Sequence, residues 1–195
     1  MNHLDLGCGL TPKNPYGADR VFGCDIRDIS SELSLQGVVF KKANLAIERI
    51  PYADNFFDSL SALDFLEHIP RQMMNADGEL VNSLVNLMNE VYRVLKPNGV
   101  FFASTPIFPH PSAFVDPTHV NIMTDKTYLY FIGNKALGQM YGFNGNFEAI
   151  KVLRETPSNF INPQETNLRK ILRRFHRKYF RGGLSHHVWE LKAVK

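Results

Sequence analysis

Two short apolar runs, Phe57–Leu63 and Val100–Ser104, flank a stretch in which Leu80, Leu84, Leu87, Val91, Val94 and Leu95 recur at three- and four-residue spacing. That spacing is the period of a helix with one buried face, and Pro97-Asn98-Gly99 stops it. Further strand-like runs lie at His3–Leu6, Arg20–Cys24 and Val38–Lys41, and later at Phe147–Leu153 and Val188–Val194. Thr124–Tyr141 reads as another helix, with Thr124 as cap and Gly142 as stop. Strands alternating with helices predict an α/β fold with a mainly parallel sheet.

The length of 195 residues suits a single domain over 1–195 with a real core. No run approaches the ~20 apolar residues of a membrane span. Met1–Gly7 enters the first strand without a leader pattern, and two cysteines, Cys8 and Cys24, exclude a disulfide scaffold. A cytoplasmic location is the expectation. Seven of the 22 basic residues fall in 169–181, which holds no acid, and the rest of the chain is mildly acidic. The basic character is therefore one local device, inside an insertion spanning 154–187.

In a parallel sheet, ligands bind at the C-terminal ends of the strands. Leu4-Asp5-Leu6-Gly7-Cys8-Gly9 is a strand entering a glycine turn, where a ligand can approach backbone without meeting a Cβ. Asp25 ends the second strand, where an acid in nucleoside-binding sheets accepts hydrogen bonds from ribose hydroxyls. A tight turn and an ordinary turn acid are the bland readings of the two features. Gly-Cys-Gly-Leu-Thr lacks the later glycine of a dinucleotide fingerprint, so NAD is not expected.

These residues resemble those of the class I S-adenosylmethionine-dependent methyltransferases. The resemblance covers roughly residues 3–153 and rests on five pieces in order. They are LDLGCG (4–9), the acid in FGCDI (22–26), Pro51 to Asp58, Leu66-Glu67-His68, and VYRVLKPNGVFFASTP (91–106). It implies a Rossmann-like sheet, mostly parallel, with an antiparallel last strand. It also implies S-adenosyl-L-methionine as cofactor. Asp5, Gly7, Cys8 and Gly9 would border its methionine part, Asp25 the ribose diol, Ile26 the adenine face, and Asn44-Leu45 the adenine edge. Ala62, Leu63 and Asp64 would lie on the methionine side near the sulfonium. The first helix is truncated, because Leu10–Asp19 is interrupted by Pro12, Pro15 and Gly17. That start, with the segment Asp116 to Asn121, is similar to small methyltransferases of sugar and surface-polysaccharide biosynthesis.

Methyl transfer to a hydroxyl needs a positioned acceptor and a proton acceptor. His119, in the loop region after the fifth strand, is the preferred catalytic base, and His68, just after the fourth, is the second candidate. Hydrogen bonds that pin a loop or a helix start are their bland readings. His186-His187 are expected to be structural or exposed. Asp64, Glu67 and His68 resemble a cluster that holds a divalent cation such as Mg in ubiquinone-type O-methyltransferases, but simple helix capping by acids is preferred, so no metal ligand is assigned. Tyr16, Phe108, Phe114, Tyr128 and Phe131 are candidate walls of the acceptor pocket.

In the basic segment, Leu168, Ile171, Leu172, Phe175 and Tyr179 share one helical face. Three readings stand: a cap helix packed by its apolar stripe, which is preferred; a peripheral membrane helix over 164–181; and a phosphate-binding face. Nucleic acid is disfavoured by the acidic body, and the partner expected is a small-molecule or glycan acceptor that can carry phosphate. The functional expectation is O-methylation of a saccharide or saccharide precursor. The rivals are methylation of another small molecule or of nucleic acid, and a non-catalytic S-adenosylmethionine-binding regulator.

Overall fold

The computed structural model describes residues 1–74, 78–156, 167–180 and 183–195. Its strands are β1 (Asn2–Leu6), β2 (Arg20–Asp25), β3 (Val39–Lys42), β4 (Phe57–Leu63), β5 (Met73–Met74), β6 (Leu80–Val81), β7 (Leu95–Pro106), β8 (Phe147–Glu155) and β9 (His186–Ala193). The helices are α1 (Ser30–Ser34), α2 (Ser83–Val94), α3 (Ser112–Val115) and α4 (Asn167–Phe180). Seven strands form one sheet in the order β3-β2-β1-β4-β7-β9-β8, and β5 and β6 form a small separate ladder. The β1–β2, β2–β3, β1–β4 and β4–β7 pairs are parallel, while β9 runs antiparallel to both β7 and β8. The chain steps outward from β1 through β2 to β3, then returns to β1's other side with β4. Strand order therefore reverses at β1/β4, where such sheets open a crevice.

The apolar spacing places α2 as expected: Leu87, Met88, Val91 and Val94 are buried on one face. Leu80, at the head of that spacing, pairs in the small ladder instead. β7 is longer than its apolar run, because Leu95 pairs with Phe57 across a bulge and Pro106 pairs with His186. No helix follows β1. Tyr16 takes its place on the sheet, 6.3 Å from the rings of His3 and Phe102, with its hydroxyl donating to Glu190 at 2.8 Å. It thus packs on the sheet beside His3 and Phe102. Phe131 is also core, and Tyr128 packs against His187 and Trp189.

Two expectations are corrected. Residues 124–141 form no α-helix but two 3-10 turns, Thr127–Phe131 and Leu137–Tyr141. Gly133 at φ +81° and a bridge from Ile132 to Phe147 interrupt the helical path, and a Cβ on Gly138 would meet the Tyr130 carbonyl at 2.5 Å. The apolar stripe of α4 is also not packed: Leu168, Ile171, Leu172, Phe175 and Tyr179 are all more than half exposed. Residues 164–166 and 181 of the basic segment, and 157–166 and 181–182 of the insertion, lie outside the described residues. Among the described residues, no helix is long and apolar enough to cross a membrane. Cys8 and Cys24 are buried free thiols, both pushed up to about 12 chiefly by burial.

His187 is buried rather than exposed, and its Nδ1 accepts the indole N–H of Trp189 at 2.7 Å. Burial pushes its pKa down to about 4. The unfolded chain binds that proton near pH 6.5, so the neutral ring contributes stability above pH 6.5 that is lost as pH falls through 4. The full contribution is at most about 3 kcal/mol. His187→Gln keeps an acceptor for the indole and removes the titration. Urea unfolding followed by fluorescence of Trp189, the chain's one tryptophan, should show the variant losing less stability than wild type between pH 7 and 4. Equal losses would remove His187 as an acid-sensitive element.

Candidate functional site

The chain leaves β1 through Gly7 (φ +64°), Cys8 and Gly9 (φ +53°). The N–H groups of Gly7 and Cys8 donate to the Cys24 carbonyl at 2.8 and 3.2 Å, which folds the turn over the end of β2. A Cβ on Gly7 would stand 2.3 Å from Cδ2 of Phe65, so only glycine fits between the turn and that ring. Gly9 N–H donates to Oδ2 of Asp25 at 3.0 Å. The glycine turn thus aims the Asp25 carboxylate as well as making room.

A cleft of 830 Å³ opens at this edge, within the range of small-molecule sites. Its walls are Gly7, the run Asp25 to Arg27, the run Ala43 to Ala46, Asp64-Phe65, His68-Ile69 and Thr118. Of the residues expected at the cofactor, the cleft gathers Gly7, Asp25, Ile26, Asn44, Leu45 and Asp64. Cys8, Gly9, Ala62 and Leu63 are not among its walls; Ala62 is fully buried between Leu6 and Ala103 in the sheet. Asp5 is turned into the interior, where its carboxyl accepts from Ser61 Oγ at 2.5 Å and from Lys13 N–H at 2.8 Å. Burial pushes Asp5 up to about 6. Its work is to fix the loop after the glycine turn.

Asp25 is 6% exposed, and its carboxylate also accepts three N–H groups of Arg27: the backbone N, Nε and Nη2, at 3.0, 3.0 and 3.1 Å. Burial raises its pKa, and the hydrogen bonds from Arg27 and Gly9 outweigh that, so it stays below the usual carboxylate range and ionised. Asn44 closes a turn, with Oδ1 accepting from Ala46 N–H at 3.2 Å, while its residue borders the cleft.

Leu66–His68, which follows β4, is a 3-10 turn, and its His68 lines the cleft. The Glu67 carbonyl accepts the N–H groups of Val120 and Asn121 at 3.0 and 2.9 Å, which binds the 116–121 loop to this turn. Its carboxyl is 2% exposed. Oε2 accepts from Thr105 Oγ1 at 2.9 Å; Oε1 is buried without a hydrogen-bond partner, 3.9 Å from Nε2 of His119. Burial, assisted by the charges of Asp64 and Asp116, pushes Glu67 up to about 7.

His68 lines the cleft; His119 stands behind it, with ring centroids 4.9 Å apart and its side chain 9% exposed. Asp116 is ionised, held low by hydrogen bonds from Thr118, whose hydroxyl donates to Oδ1 at 2.6 Å. That hydroxyl has spent its proton, so at 2.9 Å from His68 Nδ1 it accepts. The Thr118 carbonyl, 3.2 Å from the same nitrogen, also only accepts. Nδ1 therefore carries the ring proton, and Nε2 of neutral His68 holds the free lone pair.

Sequence reasoning missed Arg27, Phe65, Thr118 and His186. His186 is 6% exposed, and its Nε2 lies 3.0 Å from Oδ1 of Asp64. The register that pairs it with Pro106 carries it to the ligand edge, and no local motif announces that. Asp64 turns to His186, away from the Asp64–Glu67–His68 grouping, the less-preferred alternative to helix capping. Glu67, His68 and His119 instead offer one ligand atom each, all within 4.8 Å of one another.

The family model described as a methyltransferase domain matches residues 4–103, just over half of the chain. The chain belongs to that family. It is an S-adenosylmethionine-dependent methyltransferase domain, and S-adenosyl-L-methionine is its cofactor. The cradle suits that molecule: an ionised acid, Asp25, an exposed isoleucine, Ile26, and Gly7 of the glycine turn line one cleft. No curated protein matches the sequence.

Several solved structures share the fold. An S-adenosylmethionine-dependent methyltransferase from Mesorhizobium loti is 18% identical with a TM-score of 0.61, covering 98% of this chain and 90% of its own. One from Aquifex aeolicus is 14% identical with a TM-score of 0.57, covering 100% and 82%. A chain from the complex of the Haloferax volcanii Trm112 methyltransferase activator with a methyltransferase is 14% identical with a TM-score of 0.59, covering 100% and 83%. At these identities the likeness is one of fold, and it includes the mostly parallel seven-stranded sheet with its antiparallel end.

Proposed function

We propose that this methyltransferase domain methylates a hydroxyl of a saccharide or saccharide precursor, with His68 as the proton acceptor. The observation that carries the reading is the set of acceptors around His68 Nδ1: Thr118, oriented by Asp116, favours the proton on Nδ1 and so leaves the Nε2 lone pair free on a residue that lines the cleft. When bound, S-adenosylmethionine supplies an electrophilic methyl group on its sulfonium. Asp25 would hold the ribose hydroxyls, Ile26 would lie against the adenine, and the backbone of 44–46 would border its edge. His68 would take the acceptor's hydroxyl proton as the oxygen attacks. His119 and Glu67 would position His68 from behind. The preference thus moves from His119 to His68, because His68 is the imidazole that borders the cleft. The saccharide class is supported by the sequence resemblance around the glycine turn and 116–121.

The experiment is direct. The protein is incubated with S-adenosylmethionine and pools of sugar nucleotides, polyols and phenols. S-adenosylhomocysteine release is followed, and the product's methyl position is read by NMR. An O-methyl sugar is the expected product; an N-methyl product would overturn the reading.

A second reading is favoured by two buried, unpartnered atoms, Glu67 Oε1 and His119 Nδ1. Two imidazoles and one carboxylate suit a borderline transition ion better than Mg. Turnover that survives EDTA supports the base reading. Turnover that is lost and restored by Zn²⁺ or Mn²⁺, but not Mg²⁺, supports the second.

Arg27 occupies the carboxylate that the ribose would need, on a side chain 63% exposed. Asp25 is buried but the guanidinium is open to solvent, and with that screening the pair is worth roughly 1 kcal/mol. Arg27→Met should therefore leave cofactor affinity unchanged or tighten it up to about fivefold by calorimetry. A tenfold loss would instead mean that Arg27 touches the cofactor.

A further inference from the structure

The helix α4 presents two features that do not belong together on an ordinary surface helix. Leu168, Ile171, Leu172, Phe175 and Tyr179 recur at the spacing of one face, spanning an arc of about 100°. They are 55–67% exposed. The remainder of the cylinder carries Arg169, Lys170, Arg173, Arg174, Arg177 and Lys178, with no acid from 167 to 180. A helix whose stripe packed on its own domain would bury these side chains. A helix that served only solubility would not carry them.

We propose that α4 docks the protein on an anionic lipid surface, lying in the plane of the interface with its apolar stripe among the acyl chains. The chemistry selects this occupant. A bilayer interface offers an apolar layer beneath a sheet of negative charge, and α4 is complementary to both at once. The long basic side chains flanking the stripe can rise to the phosphates while their stems lie on lipid. A second copy of the chain would set two helices rich in cations against each other without an acid. A nucleic acid would satisfy the cations and leave the stripe in water. Fourteen residues span roughly 21 Å, and a helix with six cations cannot cross a bilayer.

The helix is held to the body on its cationic side, where Arg174 Nη1 lies 3.6 Å from Oε2 of Glu155, the last residue of β8. Glu155 pairs with His186, whose ring meets Asp64 at the cleft. The helix is therefore tethered at the sheet edge where the cleft opens, and lipid docking would bring that opening toward the surface.

The test is co-sedimentation of the full chain with sucrose-loaded vesicles, of phosphatidylcholine alone or with 30% phosphatidylglycerol. Wild type should bind the anionic vesicles at least tenfold more tightly than the neutral ones, and weaken as salt rises from 0.05 to 0.5 M. Leu172→Ser/Phe175→Ser should lose binding at least tenfold, and Arg169→Gln/Arg177→Gln severalfold. Circular dichroism and S-adenosylhomocysteine affinity must match wild type in both variants; a stripe variant that fails this is replaced by Ile171→Ser alone, and a charge variant by Arg177→Gln alone. Absence of wild-type binding, or equal binding to both vesicle types, overturns the proposal. So does a stripe variant that sediments like wild type, since cations alone would then explain the binding. Displacement by a polynucleotide with the stripe variant unimpaired would point to nucleic acid and also overturn it.

Discussion

Asp25→Ala is expected to weaken S-adenosylhomocysteine binding by about 100-fold or more. The carboxylate is ionised, nearly buried and aimed by Gly9 N–H at the head of a cleft. A ribose diol donating to it forms two charge-assisted hydrogen bonds, each worth roughly 1.5–3 kcal/mol. Part of that gain is offset, because Arg27 must give up the same oxygens. A net loss of about 3 kcal/mol corresponds to roughly 100-fold. Alanine also strips Gly9 of its acceptor, so the turn itself loosens. Asp25→Asn separates the two effects: its amide oxygen still accepts from Gly9, while the charge is gone. Calorimetry should rank wild type tightest, asparagine next and alanine weakest. Unchanged affinity in both variants would sink the ribose assignment.

The sheet was legible because its strands announce themselves locally. Each apolar run is bounded by turn residues, and α2 shows its period over twelve residues. The antiparallel end came from the resemblance. Residues 124–141 misled because Thr124 and Gly142 look like a helix cap and a helix stop, while Gly133 and the Ile132–Phe147 bridge interrupt the path between them. Tertiary contact outweighed local pattern there. The cleft's Asp25 and Gly7 were readable because backbone geometry at a strand end constrains residue type. Asp5 and Ala62 each lie two residues before a cleft residue, Gly7 and Asp64, and so sit within the strands, below the edge at which the cleft opens. His186 and Thr118 were not readable as site residues, because each reaches the site through a pairing over a long sequence separation. The stripe of α4 was visible as a period, but its exposure is a property of the packed chain alone.

His68→Ala should lower turnover 10²–10⁴-fold, the usual cost of losing a general base, and leave S-adenosylhomocysteine affinity within about threefold. The split follows from the site. Asp25 is bonded to Gly9 and Arg27, and His68 is tied to Thr118 rather than to those residues. Thr118→Val tests the orientation argument. It removes the hydroxyl that accepts from Nδ1 but keeps the backbone carbonyl 3.2 Å away. Turnover should fall about tenfold, less than for His68→Ala, because the carbonyl still favours the same tautomer. Combining the two substitutions should cost no more than His68→Ala alone, since without the imidazole there is nothing for Thr118 to orient. Additive losses would mean that Thr118 acts on the acceptor independently. If His68→Ala keeps near wild-type turnover while His119→Ala does not, the base is the buried imidazole, and the cleft must open to reach it.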